Sequence, residues 1–285
     1  MSVAVLGGLF AAVCWATAGI CAALMGRHVA PTIPIAWANV VALLLASAVG
    51  LVLDGVPHDV PASDLGWVVV LGVAIVGALS LAFRAMRIGP VGIVTPVIST
   101  EGAVAAAIGV ATGDALDGLT GAALAVIVVG VLLTATASSG GGFKVVAGPG
   151  RRALVYALGA AVCFGIVLVV GRRAAALGPI WTTGLARGVG VGLFTLPVFA
   201  RVGWRLPRVV LPLVALNATA DFVGFAVFIR ATRVSVAIPA VLASQYATLT
   251  VAAGFFLFGE RLRPWQWLGV ALTIAGTAVV AATHG

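Results

Sequence analysis

The sequence predicts an all-α integral membrane protein of ten transmembrane helices, arranged as two inverted five-helix repeats. The first observation is composition. Of 285 residues 62% are hydrophobic and 8% charged, with a mean hydropathy of +1.22, too little polar surface to coat a soluble globule of this length. The second is that the chain breaks into ten apolar blocks, each close to the ~20 helical residues that cross a bilayer core. The third is internal repetition. Arg84-Ala85-Met86-Arg87 recurs as Arg230-Ala231-Thr232-Arg233, Gly113 with Leu116 as Gly259 with Leu262, and Gly130 as Gly276, each 146 positions later. Ala11-Ala12-Val13-Cys14-Trp15 is answered 149 positions on by Ala160-Ala161-Val162-Cys163-Phe164. A unit of roughly 140 residues is therefore duplicated. With an odd number of spans per copy, the second copy enters the membrane upside down.

The first span, 3–25, starts without a basic segment and so reads as a retained helix rather than a cleaved signal. Gly26-Arg27-His28 ends it. The second, 33–53, stops before Pro57-His58-Asp59, and the third, 65–83, stops at Arg84. The fourth, 91–112, contains Pro96, where a bend is expected, and ends at Gly113-Asp114. The fifth, 119–138, leads into Gly140-Gly141-Gly142, Lys144 and Pro149, a flexible linker composition. The domains are thus 1–137, a linker 138–152, and 153–285.

The sixth span, 153–171, ends at Arg172-Arg173. The seventh, 181–200, aligns Gly184, Gly188 and Gly192 on one face, a small-residue packing seam. The eighth is 209–229. The ninth, 234–258, carries Pro239, a second expected bend, and ends at Gly259-Glu260-Arg261. In the tenth, 265–282, Gly269 with Thr273 offers a smaller seam. No loop can hold a soluble domain.

The net charge of +8 is spread in ones, twos and threes between apolar blocks, so nucleic acid is not an expected partner. Loops after odd-numbered spans hold 11 of the 16 basic residues and those after even-numbered spans four, with Arg187 inside a span. By the positive-inside rule the odd loops face the cytoplasm and both termini face out. Cys14, Cys21 and Cys163 lie inside apolar runs and make neither a disulfide framework nor a metal site. No cofactor is called for. His28, His58 and His284 fall in loops or at the terminus. Trp67, Trp181, Trp204, Trp265 and Trp267 sit near span ends as interface anchors.

From Arg84 to Leu132, and again from Arg230 to Val279, the chain resembles the drug/metabolite transporter superfamily in its ten-span EamA-like branch. The carrying pattern is a basic residue ending one span, a small-residue-rich span, a Gly-acid-x-Leu loop and a Gly-containing final span. Gly259-Glu260-Arg261-Leu262-Arg263-Pro264 with Trp267-Leu268-Gly269 follows it closely, and Gly113-Asp114-Ala115-Leu116 is a degenerate copy. Family members often place a Glu-Pro pair about a dozen residues before that glycine. Here Thr100-Glu101-Gly102 and Tyr246-Ala247 stand there instead, so that pair's role does not carry over. The resemblance implies both termini in the cytoplasm, against the charge count, and orientation stays open. It also implies a multi-pass protein of the bacterial cytoplasmic membrane.

An ionisable residue inside a span usually faces a cavity or a partner, because a bare charge at the bilayer centre costs ~3 kcal/mol or more. Glu101, Arg187 and Asp221 qualify, and Asp221 is the leading candidate. Asn217, Asp221, Phe225 and Phe228 form one polar-then-aromatic stripe on the eighth span, which could line a substrate path. The alternative is that Asp221 and Arg187 form a structural bridge. Glu101 lies near mid-membrane, with Thr95 and Ser99 on another face unless Pro96 bends the span. Ser244, Gln245, Tyr246 and Thr248 follow Pro239, and such groups either bond to neighbouring helices or line the site. Trp15 and Trp37 lie well inside their spans, either packing against lipid or walling a flat or cationic substrate.

These features point to a secondary transporter of a small metabolite, amino acid or drug-like molecule, with a proton or cation as a candidate coupling partner and lipid as its surroundings. No phosphate-binding Gly-x-x-x-x-Gly-Lys-Ser loop supplies ATP energy. The competing reading, an intramembrane enzyme or flippase for lipid-linked substrates, lacks a His-Cys-acid constellation. A channel lacks a filter-like loop. The cavity is expected between the repeats, walled by spans 1, 2, 4, 6, 8 and 9, with the fifth and tenth at the periphery.

Overall fold

Large apolar side chains face outward throughout this protein: Val52 is 83% exposed, Ile274 65% and Leu44 62%. A chain that buries small residues and exposes such side chains is built for lipid. The computed structural model describes residues 3–25, 28–29, 32–57, 60–88, 97–135, 149–233, 235–250, 253 and 264–284, and every regular element among them is helical. We number them α1 Val3–Met25, α2 Thr32–Leu53, α3 Ala62–Ile88, α4 Glu101–Ala111, α5 Gly118–Ala135 and α6 Pro149–Arg173. There follow α7, Pro179–Gly190 continuing through Val191–Thr195 into Leu196–Arg201, then α8 Leu211–Ala231, α9 Ala237–Ala243 and α10 Pro264–His284. Among the described residues six helices are long and apolar enough to cross a membrane: α1, α2, α3, α6, α7 and α8. Glu101–Ala111, Gly118–Leu133 and Pro264–Val280 are shorter and apolar.

Several boundaries depart from the expected ones. The third span was expected to stop at Arg84, but α3 continues to Ile88 and carries both Arg84 and Arg87 in helix. Pro149 to Arg152, expected in the linker, are the first turn of α6, and Arg172 and Arg173 its last. Arginine extends a helix past the hydrocarbon because its stem stays apolar while its head reaches water. Residues 138–148, the rest of the linker, lie outside the described residues.

Among the described residues, the expected fourth and ninth spans each contain a break in the helix. Residues 97–98 are helical, Ser99 and Thr100 form a turn, and α4 starts at Glu101; Thr95 and Pro96 lie outside the described residues. Pro239 sits in the first turn of α9, where its missing N–H costs nothing. The break comes later, at Ser244–Gln245, before helix resumes over 246–250. Tight three-residue bonds mark both breaks: Thr100 N–H to Val97 O at 3.3 Å, and Gln245 N–H to Leu242 O at 3.2 Å.

Proline does distort α7. Pro197 lacks an N–H and its ring would strike the carbonyl of Leu193, and the helix widens into a π turn over Val191–Thr195.

Exchanging the first five elements with the last five preserves the principal packing contacts. α1 lies on α8 as α6 lies on α3; α2 on α8 as α7 on α3; α1 on α9 as α6 on α4. The self-paired contacts are α2 with α7, α4 with α9, and α5 with α10. Small residues set these distances. At Gly130 in α5 an added Cβ would strike Thr273 Oγ1 and lie 2.8 Å from Gly269 O, so the expected seam in α10 is the α5 contact. In α7, a Cβ on Gly184 would sit 2.7 Å from Ala46 Cβ and one on Gly188 3.7 Å from Leu43, but Gly192 meets nothing within 4 Å. The predicted three-glycine seam therefore ends at Gly188, because the π turn rotates Gly192 off that face.

Candidate functional site

The two interrupted spans cross at their breaks. A Cβ on Gly102, the second residue of α4, would lie 2.8 Å from Ala240 O and 2.8 Å from both Cβ and Oγ of Ser244. Only glycine permits that approach. Glu101, the first residue of α4, is thereby placed at the crossing, 5% exposed. Its carboxyl group interacts with the Tyr246 side chain, which stands just past the break in the other repeat. No basic side chain among the described residues pairs with Glu101.

Aromatic rings extend from this point. Tyr246 meets Trp15 of α1 edge-on with centroids 6.4 Å apart, and Trp15 packs against Phe228 at 5.6 Å and Phe225 at 6.4 Å. Phe225 and Phe228 stack on one another at 6.2 Å and are 3% and 0% exposed. The aromatic half of the predicted α8 stripe is thus core, with Trp15 filling the space between α1, α8 and the crossing. Trp15 faces protein rather than lipid.

The polar half of the stripe forms a separate cluster. Arg187 of α7 donates through one guanidinium nitrogen to Asp221 Oδ2 and through the other to Asn39 Oδ1 of α2 at 3.2 Å. Asn217 Nδ2 donates to the Ala18 carbonyl of α1 at 2.7 Å. The Nε of Arg187 is buried with no hydrogen-bond partner among the described residues, as is Thr248 Oγ1. Both are polar atoms a ligand could satisfy.

The other candidates lie elsewhere. Gln245 is buried and donates to Thr277 Oγ1 of α10 at 2.6 Å. Ser99 is buried at the first break. Trp37 packs on Phe199 at 5.3 Å and donates its indole N–H to the Trp204 carbonyl at 2.8 Å, tying α2 to the segment after α7. It does not reach the Trp15 cluster.

Sequence reasoning missed two residues here. Asn39, buried at 3%, completes the Arg187 cluster; its only signal was an amide inside an apolar span. Asp114, in the loop between α4 and α5, was read as loop punctuation. Its Oδ2 accepts from the Ser235 hydroxyl at 3.1 Å and the backbone N–H groups of Val236 and Ala237 at 2.6 and 3.1 Å. Its Oδ1 accepts from Arg172 at 3.0 Å. Burial raises the Asp114 pKa, but the two amides, the hydroxyl and the guanidinium outweigh it and hold the carboxyl below its ordinary value. The signal was available: Asp114 and Glu260 are the acids that the 146-residue offset superposes.

Residues 2–136 and 151–282 each match the model of the EamA-like transporter family. The chain belongs to the EamA-like transporter family. That is a family of membrane transporters and not of enzymes, so this EamA-like protein is a multi-pass integral membrane protein of transporter type. A solved crystal structure with 20% sequence identity covers 99% of this chain and 97% of its own, with a TM-score of 0.81; at that identity the likeness is one of fold. No curated protein matches the chain.

Proposed function

We propose that this EamA-like protein is a secondary transporter with ten spans in two inverted repeats, carrying a small metabolite, amino acid or drug-like molecule across the bacterial cytoplasmic membrane by alternating access. The observation that carries the reading is the crossing of the two interrupted spans at Glu101 and Tyr246. Discontinuous helices meeting near mid-membrane at a repeat interface are where transporters of this construction hold substrate and coupling ion. An uncompensated carboxylate there favours a positively charged occupant, either a proton or a cationic group of the substrate. Trp15 supplies an apolar wall, and Thr248 Oγ1, two residues past Tyr246, is a buried polar atom with no hydrogen-bond partner among the described residues.

Between the two interior acids, Glu101 is the better coupling residue. Asp221 already has Arg187 as its counter-charge, so that protonating it would leave a guanidinium unpaired.

The test is a flux assay in sealed proteoliposomes, after a thermal-shift screen against amino acids, nucleosides, sugars and quaternary amines has found a stabilising compound. Saturable exchange that an imposed pH gradient drives uphill, and that Glu101→Gln uncouples, is the expected result. Unsaturable flux would make the protein a channel.

A further inference from the structure

We propose that Asp114 is a gate latch: it holds shut the half of the protein that lies between the α4–α9 crossing and the membrane face carrying the Asp114 loop. The inference rests on the alternating-access reading above. From the crossing outward, α4 and α9 lie against each other through small residues. A Cβ on Gly102 would sit 2.8 Å from Ser244, and one on Gly109, two turns later, 3.3 Å from Val236 Cβ and 3.4 Å from the Ala237 nitrogen. Ala105, Ala237 and Ala240 between them are fully buried. This seam leaves no room for a solute to pass to Glu101.

Asp114 closes its outer end. Gly113, at φ +111°, turns the chain out of α4 in a conformation that disfavours other residues, and Asp114 folds back over Gly109, whose added Cβ would lie 2.9 Å from Oδ2. One carboxylate of the first repeat thus binds the start of α9 and the end of α6, both in the second. Its side chain is 6% exposed whereas Arg172 is 40% exposed, so the inner bonds to Ser235, Val236 and Ala237 are shielded and the outer one faces solvent. A contact that joins two repeats across a close-packed seam must break if the repeats part on that side. Bonds to a single carboxylate break together, which suits a two-state element.

The test reads accessibility, so it needs no known substrate. Ser244→Cys, 2% exposed at the inner end of the seam, is placed in a background carrying Cys14→Ala, Cys21→Ala and Cys163→Ala. A membrane-impermeant maleimide is added to sealed proteoliposomes at one face at a time. From the Asp114 face the introduced thiol should react slowly, and Asp114→Ala should accelerate labelling by about tenfold or more, in the range of ordinary conformational coupling. Arg172→Gln, which removes only the exposed bond, should give a smaller acceleration, and it carries the test if Asp114→Ala fails to fold. If no folded variant labels faster from that face, the latch is overturned. If instead the thiol in the parent with Asp114 intact reacts rapidly from both faces, the alternating-access reading fails, whatever Asp114 does.

Discussion

Two charged clusters share the interior of this protein and are built on opposite principles. On α7 and α8, Arg187 meets Asp221 and Asn39, so both charges are answered within the protein. At the α4–α9 crossing, Glu101 has a tyrosine hydroxyl and no cation among the described residues. Removing a charge with a partner strands the partner; removing one without a partner strands nothing. The first cluster should therefore be read out in stability and the second in transport.

The largest effect should come from splitting the ion pair. Arg187→Ala leaves the partly exposed Asp221 without its counter-charge and should cost about 1.5–3 kcal/mol, the range for a hydrogen bond to a charged group, seen as a lower melting temperature in detergent. Asp221→Asn should also destabilise, and adding Arg187→Gln to it should restore part of the loss. A double variant that merely sums the two single losses would mean that the pair is not coupled.

Glu101→Gln sharpens the other side of the comparison. The amide keeps a hydrogen-bond acceptor for Tyr246, so the melting temperature should hold while pH-driven accumulation disappears and substrate exchange persists. A collapse in stability equal to that of Arg187→Ala would erase the distinction between the clusters.

Next in size is the crossing itself. Gly102→Val forces a branched side chain into Ser244 and Ala240, and overpacking of this kind costs about 1–3 kcal/mol. Loss of exchange together with a moderate fall in stability is expected, measured by flux and by thermal unfolding.

Asp114 gives a pH signature. Its carboxyl titrates lower in the folded protein than in the unfolded chain, whose reference value is ~3.9. Its stabilisation is therefore fully present above that reference value and is lost as pH falls through the lower folded value. The difference in melting temperature between wild type and Asp114→Asn should be flat from pH 5 to 8 by this ~3.9 reference and should shrink below it. The smallest effect belongs to Trp37→Phe, which removes one partly solvated hydrogen bond worth about 0.5–1.5 kcal/mol.

Membrane character, the positions of most helices and the duplication were legible in the sequence, because each depends on local apolar length or on residues compared one at a time. The interior charges Glu101, Arg187 and Asp221 were legible for the same reason: a charge inside an apolar run is conspicuous whatever surrounds it. The Asp221–Arg187 bridge was one of two readings the sequence left open, and what the sequence did not show was Asn39, which Arg187 reaches across 148 positions. The break at Ser244–Gln245 falls beyond Pro239, where a bend was expected, because proline is the local signal for a bend whereas this break sits where Ser244 approaches Gly102; Pro96, the other expected bend, lies outside the described residues. Asp114 shows the limit most clearly. By itself it is an acid in a short loop, and only the folding of the first repeat against the second brings it to the two amides, the hydroxyl and the guanidinium that give it a role. Composition and periodicity determine what a segment is, since they act through its own solvent; tertiary structure decides what a side chain does, since that depends on groups the chain brings from far away.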